Sequence, residues 1–64
     1  MQLLPPKEVA RRLGISIPSL MKLRERADFP KPVSVIGTRI GFVDREVDAW
    51  IAGRIAERDA EAAA

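Results

Sequence analysis

The side chains that could do chemistry in this sequence are hydroxyls and cations. Ser16, Ser19, Lys22 and Arg24 fall in one short stretch, Lys31 follows it, and Thr38-Arg39 comes a few residues later. Hydroxyls and cations on neighbouring segments are what a protein uses to hold phosphate oxygens. Ile17 stands among them and offers an apolar surface that can meet thymine methyl groups. The chain contains no His and no Cys, which excludes Ser–His and Cys–His nucleophile pairs, the usual zinc sites and disulfides. The acids Asp44, Glu46 and Asp48 fall in what reads as the first turn of a helix. Acids there complement the macrodipole and cap free N–H groups, so no metal is expected from them. Glu8 is a first-turn acid of the same kind. No cofactor and no enzymatic activity are expected.

The formal charge of +2 conceals an asymmetry. Residues 1–43 carry eight Lys/Arg against three Asp/Glu, a net +5, whereas residues 44–64 carry three against six, a net −3. A basic body with an acidic tail points to a polyanion as partner of the body.

These side chains need elements to carry them. Leu3-Leu4 is an apolar stub, either a brief strand or a core plug. Pro5-Pro6 sets the backbone for a helix over Lys7 to Leu13, with Val9, Ala10 and Leu13 on one face. Gly14 stops that helix. Ser16 is the N-cap of a second helix, and Pro18 is tolerated in its first turn. Leu20, Leu23 and Ala27 are expected to form its buried stripe, with Lys22, Arg24 and Arg26 off it. Phe29-Pro30-Lys31-Pro32 ends it, since each Pro pushes the preceding residue out of the α region. Val33 to Val43 reads as a β-hairpin around Gly37-Thr38, a two-residue loop with Gly first, as in a type II′ turn. Asp44 is expected to cap a third helix running to about Arg58, with Val47, Trp50, Ile51 and Ile55 as its apolar stripe. Residues 59–64 are Ala-rich and either continue the helix or fray.

Helix, Gly turn, helix has an internal register. A helix-turn-helix needs a small residue where the helices cross, a Gly four residues on, and an aliphatic six further. Ala10, Gly14 and Leu20 occupy those places. An ordinary αα-hairpin would share this spacing. The hairpin and third helix that follow it make the chain a small α+β winged helix-turn-helix, one domain over residues 1–64. In that geometry the second helix enters the major groove of double-stranded DNA, and the hairpin tip reaches the backbone or the adjacent minor groove. Arg39 at the tip suits a phosphate or a narrow minor groove. The competing use of Arg39 is a salt bridge to Asp44 or Glu46. Trp50, Phe29 and Phe42 read as core, not as base-stacking platforms.

The stretches KEVARRLGIS (7–16), FPKPV (29–33), GTRIGF (37–42) and EVDAWIAGR (46–54) resemble the AlpA-like regulators and small excisionases of phages and integrative elements, which are related in fold to MerR-type winged helices. The resemblance covers nearly the whole chain. It implies a DNA-binding protein of a mobile element, either a transcriptional regulator or a recombination directionality factor that works with an integrase. One departure stands out. Family members often place Arg-Ser-Thr after the capping Ser and an aromatic after the core aliphatic, where this chain has Ile17-Pro18-Ser19 and Met21.

Ile17 and Met21 cannot form bidentate base contacts, so phosphate contact and DNA shape are expected to carry more of the binding than direct base reading. The residues assigned to DNA are therefore Ser16, Ile17, Ser19, Lys22, Arg24, Lys31, Thr38 and Arg39. Modest specificity implies self-association on tandem sites. No apolar run approaches a membrane span and the N-terminus lacks a signal-peptide layout, so a cytoplasmic location is expected. The rival reading is a protein-interaction module, such as an anti-repressor, that uses this fold without DNA.

Overall fold

In the computed structural model, which describes residues 1–63, the apolar stub is both a strand and a plug. Strand β1 (Leu3–Leu4) pairs antiparallel with β3 (Arg39–Val43), Leu3 opposite Val43 and Leu4 opposite Phe42. Leu4 is buried. A reciprocal bond extends the pairing: Asp44 N–H donates to the Gln2 carbonyl at 2.9 Å, and Gln2 N–H donates to Asp44 Oδ1 at 3.0 Å.

Helix α1 (Pro6–Leu13) starts on prolines, whose missing N–H groups would have no helical partner there. Val9 and Ala10 are its buried pair. Gly14 ends it at φ 70°, ψ 32°. Its N–H donates to the Arg11 carbonyl at 3.2 Å, and Ile15 N–H donates to the Ala10 carbonyl at 3.0 Å. This is a Schellman ending, and it requires the left-handed conformation that glycine adopts without strain.

Helix α2 (Ile17–Leu23) is capped as expected, with Ser19 N–H donating to Ser16 Oγ at 3.3 Å. Leu20 is fully buried between the helices. The helix is shorter than its apolar pattern suggested. After Leu23 the chain tightens into i→i+3 turns, Glu25 N–H to the Lys22 carbonyl and Arg26 N–H to the Leu23 carbonyl, and Ala27 is exposed. A methyl group offers too little area to hold another helical turn against the core. Phe29, 2% exposed, takes that place and draws the chain inward.

Strand β2 (Val33–Ile36) completes a sheet of order β1-β3-β2. Its pairing is irregular. Val33 faces Gly41 and Ser34 faces Ile40, yet Ile36 faces Arg39, so Val35 is an extra residue in a β-bulge. All four residues of β2 are exposed, Val33 at 42% and Val35 at 53%. A Cβ at Gly41 would lie 3.3 Å from Leu3 Cβ and 3.5 Å from Val35 Cγ2. Glycine at 41 is what lets those side chains close over the outer face of the sheet.

Helix α3 (Asp44–Ala63) runs past the expected end near Arg58. Residue 64 lies outside the described residues. The extension, Asp59 to Ala63, has three Ala and one Glu, strong helix formers, and just before it Arg54 Nη1 pairs with Glu57 Oε2 at 2.9 Å. Val47 is buried and Trp50 and Ile51 pack partly against the core, but Ile55 is 45% exposed and is not a core residue. By that point the helix has passed the body, which gives the chain its extents of 46 × 25 × 21 Å.

The core is Leu4, Val9, Ala10, Leu20, Phe29, Phe42 and Val47. Phe29 is its hinge, edge-on to Phe42 at 6.0 Å and to Trp50 at 5.0 Å between ring centroids. The three aromatics thus pack against one another, as their positions on apolar stripes implied.

Candidate nucleic-acid interface

The α1 ending and the Ser16 cap fix how α2 leaves the body, with Leu20 inward and Ile17, Pro18, Ser19 and Lys22 exposed. Ser16 Oγ–H donates to Ser19 Oγ at 2.9 Å, so the Ser16 hydroxyl is taken up by the cap. The Ser19 hydroxyl accepts that bond and keeps its own proton for an outside acceptor. Ile17 is 40% exposed on this surface. Met21 is half-buried and packs against the core, so it offers less apolar surface to a groove than Ile17 does.

Ion pairing separates the cations. Arg11, Arg12, Arg24, Arg26, Arg54 and Arg58 each lie within 4.0 Å of a carboxylate. Arg12 also reaches Asp48 at 3.6 Å, which ties α1 to α3. Among the described residues Lys7, Lys22, Lys31, Arg39 and Arg45 have no such partner. Lys22 stands on α2 and Arg39 at the hairpin tip. The salt bridge from Arg39 to Asp44 or Glu46 is not formed. Asp44 instead accepts from the Gln2 and Arg45 N–H groups at 3.0 and 2.7 Å, and the Gln2 bond holds its carboxyl below the usual range.

Two sequence-derived sites prove to be joined. Lys31 Nζ donates to the carbonyls of Arg24 and Arg26 at 2.8 and 3.1 Å, closing the frayed end of α2. Its ammonium acts as a C-terminal clasp, the role a cation suits at that pole of a helix. Arg24, at the C-cap, leans its guanidinium toward Glu25 at 3.8 Å.

The hairpin tip is as expected in φ: Gly37 sits at 55°, and no non-Gly residue has positive φ. Thr38 and Arg39 are exposed. Two neighbours of Arg39 escaped the sequence reading. Lys7 shares a groove with it, lined also by Pro5, Pro6 and Ile40. Ile36 pairs directly across from it and is 71% exposed. Lys7 could have been found as an unpaired cation beside a helix start, but its closeness to Arg39 depends on β1 pairing with β3.

The acids do not converge as a metal site. Among the described residues no three His, Cys, Asp or Glu side chains are grouped to hold an ion. No helix described is long and apolar enough to cross a membrane.

Residues 2–55 match the family described as Prophage CP4-57 regulatory protein (AlpA), a family of regulatory proteins. The chain is also 39% identical over 51 residues to "Uncharacterized protein ORF88" of Enterobacteria phage P4. That alignment covers 80% of this chain and 58% of the phage protein, so the chain spans little more than half the length of that curated relative. No solved structure matches. With a winged helix-turn-helix in place and the family matched from Gln2 to Ile55, the chain belongs to the AlpA family of prophage regulatory proteins.

Proposed function

We propose that this chain binds double-stranded DNA as a transcriptional regulator or as the recombination directionality factor of a mobile element. Helix α2 enters the major groove with Ser19, Lys22 and Ile17 leading, and the β2–β3 wing sets Thr38 and Arg39 on the backbone or in the adjacent minor groove. The observation that carries this reading is the distribution of unpaired charge. Of the cations on α2 and the wing, Lys22 and Arg39 have no carboxylate partner among the described residues, while acids pair with Arg11 and Arg12 of α1 and with Arg54 and Arg58 of α3. Neutralising phosphates with such cations releases counterions and favours binding. Ser16, Arg24 and Lys31 then support the surface by capping and closing α2.

The second reading, a protein-interaction module such as an anti-repressor, draws on the exposed apolar residues Ile17, Leu3, Val33 and Val35. Footprinting on the DNA flanking the protein's own coding region separates the two. Protected direct repeats support DNA binding and self-association on tandem sites, and an integrase is then the protein partner to test. The absence of salt-dependent binding to any duplex would leave the interaction module.

A further inference from the structure

We infer that Ile36 is an apolar wedge that enters a base step beside Arg39, so that the wing bends the DNA it touches. The inference rests on the DNA-binding reading above and adds to it a residue and a deformation.

Ile36 is 71% exposed, the most exposed large apolar side chain after the N-terminal Met1. A lone exposed aliphatic on a helix face needs no explanation. Ile36 differs in three ways. It sits at the very tip of the hairpin, the last residue of β2 before Gly37-Thr38. It lies directly opposite Arg39, and cross-strand partners project from the same face of a hairpin. Its side chain is also β-branched, with little χ1 freedom, and stands between the Val35 bulge and Gly37, which turns the chain at φ 55°.

The tip therefore presents side by side a β-branched aliphatic and a guanidinium that has no carboxylate partner among the described residues. The guanidinium is attracted to the negative potential of a narrow minor groove. An aliphatic delivered to the same place has no polar contact to make with base edges. Its favourable course is to slip between two base pairs, where it exchanges water for stacked rings. Aliphatic wedges of this kind unstack a step and kink the duplex toward the major groove by about 20–90°. Flexible pyrimidine–purine steps yield most readily, so the wedge would also supply sequence preference to a protein whose α2 lacks bidentate readers.

The test is bending measured separately from binding. Duplexes of about 25 base pairs, the size of site over which protein-induced bends are commonly considered, carry a donor and an acceptor dye at their ends. A second set carries 2-aminopurine at successive steps under the wing. The wild-type chain should raise energy transfer and brighten 2-aminopurine at one step. Ile36→Ala, which removes an exposed side chain and should leave the fold's circular dichroism unchanged, should keep the salt slope but lose both signals. Ile36→Phe should restore them, since another apolar wedge can take the place. An unchanged bend in Ile36→Ala overturns the wedge. So does an unchanged bend together with lost cooperativity between sites, which would make Ile36 a contact to another protein. If the wild-type chain binds no duplex at all, the underlying reading falls with it; if it binds without bending, the wedge alone falls.

Discussion

Lys31 Nζ and the Arg24 carbonyl oxygen are 2.8 Å apart, and this bond changes what Lys31 is for. In the sequence it is one more cation near a basic helix. In the fold its ammonium is turned back onto the last carbonyls of α2, including that of Arg26. Lys31→Ala should therefore act on stability, costing about 1 kcal/mol through the lost charge-assisted bonds, read as a melting temperature lower by several degrees. The salt dependence of DNA binding should stay as it was. A salt slope reduced as much as by Lys22→Ala would show that Lys31 reaches phosphate after all.

Lys22 and Arg39 are expected to behave in the opposite way. Neither has an internal partner among the described residues, so replacing either by Ala should leave the melting temperature nearly unchanged. Binding to every sequence should weaken, with the slope of log K against log salt falling by about 0.9 for each lost phosphate contact. Isotherms at several salt concentrations measure this directly. If Arg39→Ala leaves both affinity and slope untouched, the wing does not touch DNA.

Ile17→Arg should raise affinity for duplex DNA. Ile17 occupies the exposed leading turn of α2, where a longer cation adds charge to the groove-facing surface. Pro18 behind it sits in the first turn and does not hinder the change. A fall in affinity, seen in the same titrations, would mean that Ile17 is used against another protein.

How far the fold could be read from the sequence depended on whether local chemistry was enough. Gly14, Ser16 and Gly37 set their turns through backbone needs that one residue satisfies, and each appears where expected. Ala10 and Leu20 followed from a spacing rule that reflects helix packing. The misreadings all depended on distant contacts. Nothing local says that Phe29 will displace Ala27 from the end of α2, because both fit the pattern and only burial separates them. Ile55 continues the stripe of Val47 and Ile51, but periodicity cannot say where the body stops. At the interface, Lys22 and Arg39 could be picked by residue type, whereas the committed state of Lys31 and the placement of Lys7 and Ile36 beside Arg39 required the fold.

Asp44 supplies a pH signature. Its carboxylate accepts N–H groups from Gln2 and Arg45, and the Gln2 bond in particular lowers its pKa in the folded state. A depressed folded pKa gives stability that is fully present above the unfolded value, about 3.9 for Asp, and is lost as pH falls through the folded value. Glu8, lowered chiefly by its bond to Arg11, acts in the same direction. Urea melts below about pH 4 should show the wild-type chain losing stability, and Asp44→Asn losing less over the same interval. Equal losses would mean that the Gln2–Asp44 clasp opens readily in solution.

The last prediction concerns assembly. A module this small covers little DNA, with interface areas of roughly 600–1,000 Å² for comparable single modules. Its α2 presents one free hydroxyl proton at Ser19, one unpaired Lys and an aliphatic lead, which limits what a monomer can discriminate. Neighbours on adjacent sites would supply the missing free energy. The surfaces for such contact are unlike each other. One is the apolar outer face of the sheet, with Leu3, Val33 and Val35 exposed in the half that carries +5. The other is the far half of α3, exposed on every side, with Ile55 uncovered in the half that carries −3. Unlike surfaces join head to tail, and a head-to-tail contact extends along DNA instead of closing into a dimer. Binding isotherms on duplexes with one, two and three sites should then show per-site affinity rising with site number. Ile55→Asp should abolish that rise while leaving single-site affinity intact, because it places a charge in the contact and none near α2 or the wing. Equal per-site affinity on all three duplexes would mean that each copy binds alone.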